Sequence, residues 1–346
     1  MVRRLSVYEA ESTDPYRNLA VEEYLTYHVQ PSECVLYLWQ NQRTVVIGKN
    51  QNAWKECNIE LLEAEGGHLA RRTSGGGAVF HDLGNLNFSF CVREEDYSVE
   101  RQSEVILRAV KSLGIPAQRT GRNDIVADGR KFSGNAFLKS KGCCCHHGTL
   151  LIGVDQQQMG RYLNVSPEKL RAKGVDSVRA RTVNLRELLP GLGVAQMKEA
   201  LLRSFSEVYG ARCADAETEN QAFSPLFADR LDWEEIAQYE RRLSSWKWKY
   251  GRKLPFEYTV SQRFPWGGIE LCFHVNGGVI QEIKVYSDAM QEQLARRLEE
   301  CMKGCAYRRN ALLARLKEAR LDRENEEADR QIRSDIGRLI LREVMK

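Results

Sequence analysis

The spacing of apolar residues predicts several helices in the first two thirds of the chain. Asp14 followed by Pro15 marks a helix start, because an Asp side chain accepts hydrogen bonds from exposed amides and proline fits the first turn. Aromatic and aliphatic residues follow at helical intervals, namely Tyr16, Leu19, Ala20, Tyr24 and Tyr27. The same periodicity predicts a short helix over 58–67, a longer helix over 98–114, and mainly helical structure over 156–210.

Shorter runs rich in β-branched and aromatic residues predict strands. Residues 33–40 and 44–48 have this composition and are separated by a short polar segment, which predicts a hairpin. Further strands are predicted on either side of the glycines at 75–77 and over 148–154. Asp128 and Gly129 lie between two strand-like runs, and Asp-Gly is a strong signal for a tight β-turn.

The last hundred residues have a different organisation. After about residue 255, alternating strands are separated by Gly-Gly turns, and residues 311–346 form a charged amphipathic helix or helix pair. We therefore predict a boundary near residue 246, which divides the chain into domains 1–246 and 247–346. Because strands and helices alternate irregularly, the expected fold class is α+β rather than a doubly wound parallel sheet.

Composition and charge exclude several classes of protein. Hydrophobic residues make up 42 % of the 346 residues, which is enough to bury a substantial core. The 51 basic and 47 acidic residues leave a formal charge of +4, and no DNA-binding unit is apparent, so we expect no nucleic-acid partner. No apolar run approaches about 18 residues and no secretory signal is visible, so we expect no membrane segment and a cytoplasmic location.

The ten cysteines contain no CxxC pair, so we expect reduced thiols rather than a disulfide framework. Three of them, Cys143 to Cys145, directly precede His146 and His147, which raises the question of a metal site. Adjacent residues cannot easily all point at one ion, and the usual two-residue spacing is missing. The spacing therefore favours a strand or loop with small side chains.

The stretch RRTSGGGAVFHD combines two arginines with three successive glycines. Bare glycine backbone can approach a ligand closely and direct its N–H groups at an anion, and Arg71 or Arg72 can pair with a phosphate or carboxylate. The alternative is an exposed glycine turn with incidental arginines. The stretch fits neither the GxGxxG dinucleotide pattern nor the GxxxxGK[ST] phosphate loop.

Two later segments carry further candidate residues. Lys131 lies in a strand-like run after the Asp-Gly turn, where it could neutralise a carboxylate and a phosphate together. The alternative is a surface lysine on a strand. His146 and His147 could close the same pocket, although single histidines are more often structural.

Taken together, these segments resemble the lipoate–protein ligase family. RRTSGGGAVFHDLGNLNFSF is similar to the family pattern RRxSGGGAVFHDxGNxxFSF, and GRNDIVADGRKFSGNAF and HHGTLL match the segments that follow it. Downstream, KGVDSVRARTVNL, WKYGRKLPF and FPWGGIELCFHV resemble parts of the two-domain ligases. The resemblance covers roughly residues 1 to 310. One departure is Thr73, where the family often has a third arginine, and this weakens one expected phosphate contact.

The resemblance implies a biotin/lipoate-ligase-like mixed-sheet domain with a smaller C-terminal α+β accessory domain. It implies that ATP and Mg²⁺ activate lipoate as lipoyl-AMP, and that the lipoyl group then passes to a lysine. The implied acceptors are the lipoyl domains of 2-oxoacid dehydrogenase E2 subunits and the glycine-cleavage H protein. Lys131 is the implied catalytic residue and Asp124 the implied metal ligand. The implied ATP and lipoyl-AMP site consists of Arg72, Ser74, Gly75, Gly76, Gly77, Ala78, Val79, Phe80, His81, Asn85, Asn123, Lys131, Ser133, His147 and Gly148.

Four alternatives are weighed against the residues. An octanoyl or lipoyl transferase of the same superfold that works through a cysteine thioester carries that cysteine just upstream of the lysine strand, where this chain has none. A non-catalytic lipoyl-domain binder is disfavoured because Lys131, Asp124 and the glycine stretch are all intact. The acyl acid could also be octanoate, since an apolar pocket discriminates weakly between similar tails. A biotin ligase matches the arginine–glycine stretch poorly.

Overall fold

The computed structural model describes residues 2–121, 123–164, 182–210, 224–225, 231–250, 258–276 and 278–344. The chain forms two compact units. The large unit consists of Met1–Val46, Cys57–Thr73 and Val79–Lys249, and the small unit of Ile47–Glu56, Ser74–Ala78 and Tyr250–Lys346. The helical structure predicted within 165–181 and most of the polar segment at 211–232 lie outside the described residues.

The large unit is built on an eight-stranded mixed sheet. In chain order its strands are β1 (Arg4–Glu9), β2 (Glu33–Trp39), β6 (Asn85–Arg93), β7 (Ala117–Thr120), β8 (Asp124–Ala127), β9 (Arg130–Ser140), β10 (Cys143–Leu151) and β11 (Ser224–Pro225). Their spatial order is β11-β1-β2-β6-β10-β9-β8-β7. β1 pairs in parallel with β2 and β11, whereas β2, β6, β10, β9, β8 and β7 pair antiparallel. The sheet is therefore mixed, as expected for an α+β fold.

A second, three-stranded sheet corrects one prediction. Its strands are β3 (Thr44–Ile47), β4 (His68–Arg71) and β5 (Val79–His81), in the order β4-β3-β5. The predicted hairpin between residues 33–40 and 44–48 is wrong, because β3 pairs with β5 and not with β2. Both edges of β2 are already occupied by β1 and β6, which leaves β3 no edge to join.

Helices cover both faces of the large sheet. Among the described residues up to 250, the helices are α1 (Pro15–His28), α2 (Ala53–Glu56), α3 (Ile59–Ala64), α4 (Val99–Ser112), α5 (Gln156–Tyr162), α6 (Leu185–Leu188), α7 (Val194–Tyr209), α8 (Trp233–Ser244) and α9 (Trp246–Tyr250). On one face, α4 and α7 pack over Phe88 and Phe90. On the other face, α1 and α8 pack over Val35 and Cys91. The Asp14 side chain accepts from the amides of Tyr16 and Arg17, so the predicted start of α1 is confirmed.

The hairpin formed by β8 and β9 places the second candidate segment at one side of the sheet. Asp128 and Gly129 adopt φ values of 50° and 67°, the left-handed conformation that an Asp-Gly turn requires. The predicted turn is therefore confirmed. Ile125 pairs with Ser133 and Val126 with Lys131, so Phe132 is the extra residue of a β-bulge.

The C-terminal part of the small unit is an antiparallel sheet covered by helices. Its elements are β12 (Tyr258–Phe264), β13 (Gly267–Asn276), β14 (Val279–Ser287), α10 (Leu294–Met302), α11 (Arg309–Glu318) and α12 (Glu326–Glu343). The predicted C-terminal helix pair is confirmed as α11 and α12, whose buried side includes Leu312, Leu316, Ile332, Ile336 and Ile340. Among the described residues, no helix combines the length and apolar character needed to cross a membrane.

Candidate active site

One face of the large sheet becomes polar where it approaches α1. Strand register places Tyr37, Ser89 and His147 side by side on β2, β6 and β10. Two residues further along β6 and β10, Asn87 lies beside Thr149. Because side chains two residues apart share a face, these polar groups point to the same side of the sheet.

Glu22 of α1 lies at the centre of this polar face and is buried. Its Oε2 atom is 2.8 Å from Nδ1 of His147 and accepts a 2.5 Å hydrogen bond from the Ser89 hydroxyl. Trp39 donates from its indole nitrogen to the same hydroxyl over 3.0 Å. Since a carboxylate only accepts, the proton of a neutral His147 ring lies on Nδ1. The donors around Glu22 offset part of the cost of burying its charge.

Arg72 provides a buried positive charge near this carboxylate. Arg72 is only 6 % exposed, and its Nη1 lies 3.3 Å from the carbonyl oxygen of Val46. Burial lowers the pKa of Arg72 to about 10, while the charge of Glu22 acts in the opposite direction. The guanidinium is therefore still protonated at neutral pH and can pair with an anion.

The hydrogen bonds around His81 fix its tautomer. The side-chain nitrogen of Asn18 donates to the side-chain oxygen of Asn41 over 3.0 Å and lies within hydrogen-bond distance of two backbone carbonyls. These contacts define the orientation of the Asn18 amide, and the Asn41 amide must then turn its oxygen towards Asn18. Asn41 then presents its own nitrogen to Nδ1 of His81 at 3.1 Å. Nδ1 therefore accepts and Nε2 carries the proton. Among the described residues, this buried Nε2 has no hydrogen-bond acceptor.

His81 is neutral under ordinary conditions. Burial, with smaller contributions from the neighbouring Arg72 and His147, lowers the pKa of His81 to about 3. Asn85 lies in the same network, and its side-chain nitrogen donates a hydrogen bond to the side-chain oxygen of Asn87 over 2.9 Å. The buried Oδ1 of Asn85 has no hydrogen-bond partner among the described residues. A neutral N–H donor and an amide oxygen are thus both available to a bound polar ligand.

A second group of predicted residues meets at the β8–β9 hairpin. The Lys131 ammonium lies 2.7 Å from the Asp124 carboxylate, and the two side chains are 19 % and 14 % exposed. Gly134 lies opposite Asp124, and a Cβ atom there would come within 2.7 Å of the lysine Nζ. The absence of a side chain at Gly134 therefore creates the space that the lysine head occupies. The backbone amide of Gly134 donates a hydrogen bond to the Thr149 hydroxyl over 3.2 Å.

The remaining predicted residues of the large unit make hydrogen bonds or packing contacts within the protein. Asn123 is held against Asn135 by hydrogen bonds in both directions, and Ser133 accepts 3.4 Å from the Asn135 amide. A Cβ at Gly148 would lie 2.5 Å from the Phe88 ring, so this glycine makes room for a core aromatic. On β5, Phe80 is buried against the Tyr162 ring and Val79 is half-buried.

The glycine segment, Ser74–Ala78, belongs to the small unit. A Cβ at Gly75 would approach the Ala289 carbonyl oxygen to 2.7 Å, and the Gly76 amide donates to the same oxygen over 3.3 Å with φ at 89°. A Cβ at Gly77 would meet no heavy atom within 4 Å. Gly75 is thus required by packing and Gly76 by its positive φ, whereas Gly77 has space on its side-chain face.

Several residues of these clusters were not predicted. Glu22 lies on α1 four residues after Asn18 and four before Thr26, and all three are buried. Polar residues repeated every fourth position on a buried helix face are a usable sequence signal for an internal polar network. Gly48 packs under Gly76 in the small unit, and Lys49 forms an ion pair there with Glu292. These contacts are long-range, and no local pattern marks them.

His146 faces the opposite side of the sheet from His147. Its Nε2 donates to the Asn135 side-chain oxygen over 2.8 Å, and its Nδ1 lies 3.1 Å from the side-chain amide of Gln102 on α4. Burial lowers the pKa of His146 to about 3, so the ring is neutral inside the core. Because side chains alternate along a strand, His147 lies on the polar face of the sheet, whereas His146 packs among aromatic rings on the opposite face.

The two neutral histidines predict a pH-dependent stability. Their folded pKa of about 3 is below the value of about 6.5 for an unfolded histidine. The unfolded chain therefore binds more protons between these values, so stability is fully present above about pH 6.5 and falls as the pH drops towards 3. Each histidine contributes a slope of up to about 1.4 kcal/mol per pH unit. We expect His146→Gln to flatten the dependence of the unfolding free energy, measured by urea denaturation between about pH 7 and pH 5.

His28→Gln is the matched control, because His28 is exposed on α1. Its effect on the slope should be smaller than that of His146→Gln. Equal slopes for the wild type and His146→Gln would contradict a neutral buried ring at position 146.

A buried arginine that follows β4 and a lysine–aspartate pair on β8 and β9 are features of an enzyme that acts on an anionic substrate, and comparison with known proteins specifies the class. Residues 14–206 match the lipoyl protein ligase A/B catalytic domain, and residues 253–334 match the bacterial lipoate protein ligase C-terminus. The chain is 42 % identical over 315 residues to the lipoate-protein ligase A of Bdellovibrio bacteriovorus, covering 90 % of this chain and 91 % of that protein.

Two solved structures extend the comparison. The P. falciparum LipL1 structure in complex with lipoate has a TM-score of 0.82 and 29 % identity, covering 97 % of this chain and 99 % of that one. A lipoate-protein ligase A structure bound with ATP has a TM-score of 0.58 and 25 % identity, covering 72 % and 99 %. The chain belongs to the lipoate–protein ligase family. The predicted family, ligase class and α+β fold are confirmed.

Proposed function

We propose that this enzyme uses ATP and Mg²⁺ to activate lipoate as lipoyl-AMP and then transfers the lipoyl group to a lysine of a protein acceptor. The observation that carries this proposal is the Lys131–Asp124 pair at 2.7 Å, largely shielded from solvent, on the sheet of a lipoate-ligase-family domain. Activation joins a carboxylate oxygen to the α-phosphorus of ATP and breaks the bond to pyrophosphate. Two negative groups must approach each other in that step, and a fixed cation lowers the barrier.

Lys131 is the proposed catalytic residue for this step. Gly134 clears the space around its ammonium group, and Asp124 holds the group in one position. Such a cation can contact the lipoate carboxylate and the α-phosphate together. Because the reaction depends mostly on positioning and charge, no protein nucleophile is required.

Asp124 is the proposed Mg²⁺ ligand. A carboxylate oxygen is the donor that Mg²⁺ prefers, and sites that also use substrate phosphates need only one or two carboxylates. The donor present at position 124 therefore fits this ion. When bound, Mg²⁺ supplies neutralisation of the pyrophosphate leaving group. Asn123, next to Asp124, is proposed to contact the nucleotide, and Ser133 lies on the neighbouring strand.

The buried polar network is proposed to bind the acyl-adenylate. Arg72 supplies a charged donor, and His81 supplies the N–H of a neutral ring. Val79 and Phe80 supply apolar surface suited to the lipoate tail. Asn85, His147 and Gly148 are proposed to complete this part of the site, and Ser74–Ala78 to contribute backbone N–H groups for the phosphate.

The proposed acceptors are the lipoyl domains of 2-oxoacid dehydrogenase E2 subunits and the glycine-cleavage H protein, and the proposed compartment is the cytoplasm. In the second half-reaction the lysine amine attacks the acyl carbonyl carbon and AMP leaves. We propose that residues 1–246 perform this chemistry and that residues 247–346 form the accessory domain. No nucleic-acid partner is proposed.

Intact-mass spectrometry tests the reaction directly. A purified apo lipoyl domain is incubated with the enzyme, lipoate and Mg²⁺, with and without ATP. We expect a lipoyl mass increase that requires ATP, together with release of one pyrophosphate per lipoyl group. Octanoate in place of lipoate, at equal concentration, measures acyl preference in the same assay.

Two other outcomes would contradict the proposal. Transfer from an octanoyl carrier-protein thioester, with none from free acid and ATP, would identify the protein as a transferase. Binding of the apo lipoyl domain without modification under either condition, and without pyrophosphate release, would identify a non-catalytic binder.

A further inference from the structure

A series of polar side chains crosses the core of the large unit on the sheet face that α4 and α7 cover. This series, the His146 network, consists of Tyr209 at the end of α7, Gln102 on α4, His146 on β10, Asn135 on β9, and Asn123 directly before β8. The first four are at most 7 % exposed. Because burying a polar side chain is costly unless it is hydrogen-bonded, such a series needs a physical reason.

The contacts of Asn135 define the orientation of its side-chain amide. Its Nδ2 lies 3.1 Å from the carbonyl oxygen of Asn123, and the backbone N–H of Asn135 donates to the same oxygen over 2.9 Å. In the other direction, the Asn123 side-chain nitrogen donates to the Asn135 carbonyl oxygen over 3.3 Å. Since a carbonyl only accepts, the Asn135 nitrogen faces Asn123 and its Oδ1 faces His146.

This orientation determines the protons of the next two residues. Asn135 Oδ1 accepts from His146 Nε2 over 2.8 Å, so Nδ1 of the neutral ring accepts, and Gln102, 3.1 Å away, presents its nitrogen there. With the Gln102 oxygen facing His146 instead, the buried Gln102 nitrogen and Tyr209 hydroxyl have no hydrogen-bond partner among the described residues. With the nitrogen facing His146, the oxygen accepts from the Tyr209 hydroxyl beside it.

The hydrogen bonds of the His146 network therefore all run in one direction, from Tyr209 to the carbonyl of Asn123. Successive bonds of this kind polarise one another and select one arrangement of the side chains. We propose that His146 and Asn135 are positioning residues that hold Asn123 and Asp124 in place for ATP with Mg²⁺. This positioning role rests on the nucleotide and metal functions proposed above for Asn123 and Asp124.

The surroundings of Asn123 explain why such support is needed. In the described part of the chain, the neighbouring strand β7 is the edge of the large sheet, and three of its four residues are exposed. It therefore gives the turn before Asp124 little support. The contacts of Asn135 attach this turn to β9, which also carries Lys131. The same strand thus fixes the cation and the segment that contains the proposed metal ligand.

Isothermal titration calorimetry of the full-length protein tests this role. ATP with Mg²⁺ and, in a separate titration, lipoate are added to the wild type and to Asn135→Ala. We expect Asn135→Ala to bind ATP with Mg²⁺ at least about tenfold more weakly, a typical cost of losing a residue that orients a metal ligand. Its affinity for lipoate should stay within about twofold. Misfolded molecules would lower the stoichiometry of both titrations rather than one affinity.

Two substitutions of His146 separate its N–H group from its volume. Leucine fills the space without a donor, so His146→Leu should weaken ATP binding as Asn135→Ala does. Glutamine retains an N–H that can donate to Asn135, so His146→Gln should stay within about threefold of the wild type. Ser204→Ala is the matched control, because the buried Ser204 hydroxyl donates to the Val105 carbonyl over 2.8 Å outside the network. Its affinity for ATP should not change.

Unchanged ATP affinity in Asn135→Ala, the same weakening in Ser204→Ala, or equal losses in His146→Leu and His146→Gln would each overturn the proposal. The His146 pair decides the question if thermal unfolding shows that Asn135→Ala is too unstable to titrate. Binding is measured without turnover. A wild type that binds ATP with Mg²⁺ but lipoylates no acceptor would therefore contradict the proposed function alone, whereas a wild type that does not bind ATP would contradict both.

Discussion

Replacing Lys131 with alanine is expected to lower the rate of ATP-dependent lipoylation by about 10²–10³-fold, the typical cost of removing one preorganised stabilising group. The ammonium lies 2.7 Å from Asp124 in a position that Gly134 keeps open, so alanine removes a fixed cation without a substitute. The loss should appear in both pyrophosphate release and lipoyl transfer, because activation comes first. Both are measured under saturating ATP and Mg²⁺.

Lys139→Ala provides a matched control for this experiment. Lys139 lies on the same strand, β9, pairs with Glu94 and is 37 % exposed. Its replacement should leave both rates within about twofold, since exposed ion pairs contribute little. If Lys131→Ala kept the activity of Lys139→Ala, with the same circular dichroism spectrum, Lys131 would have no role in the chemistry.

Gly48→Ala is expected to destabilise the small unit and to reduce activity together. A Cβ at this position would overlap the carbonyl oxygen of Gly76, far inside van der Waals contact. Both partners are backbone atoms, so the overlap can be relieved only if the glycine segment moves. We expect the free energy of unfolding to fall by about 1–3 kcal/mol, as for other overpacked sites. Activity should fall by at least about tenfold if Ser74–Ala78 contributes to adenylate binding.

Thermal unfolding and the lipoylation assay measure these two effects on the same preparations. Gly160→Ala is the control, because Gly160 lies in helix α5 and a Cβ there meets nothing within 4 Å. Alanine has the higher helix propensity, so this variant should be as stable as the wild type or slightly more stable. Equal stability of Gly48→Ala and Gly160→Ala would show that the segment packs differently from the geometry described above.

Local signals in the sequence predicted the elements that local interactions stabilise. Asp14 caps α1 through its own side chain, and Asp128-Gly129 forms its turn from two left-handed residues. Both depend on groups within a few positions along the chain, so their patterns can be recognised directly. The same holds for the family motifs around Arg72 and Lys131, which are continuous stretches and led to the correct family.

The pairing of strands was harder to predict. Residues 33–40 and 44–48 are strands, as the pattern indicated, but they join different sheets. The composition of a segment indicates that it forms a half-buried or fully buried strand. The strand that it pairs with depends on which neighbouring strands have a free edge in the folded sheet. The two edges of β2 are occupied by β1, from which it is separated by α1, and by β6, which is distant in sequence. A short polar connection to β3 cannot override that arrangement.

By itself, the sequence determined the family, the ligase class, the α+β fold and the segments that carry Lys131, Asp124, Arg72 and the three glycines. Only the tertiary structure decided which of these groups meet. It placed Glu22 against His147, separated His147 from His146 by the pleat of β10, and grouped Ser74–Ala78 with residues near Ala289. The physical reason is that buried charges and close backbone contacts depend on partners that are remote along the chain. Their spacing in the sequence therefore contains no record of the distance between them in the fold.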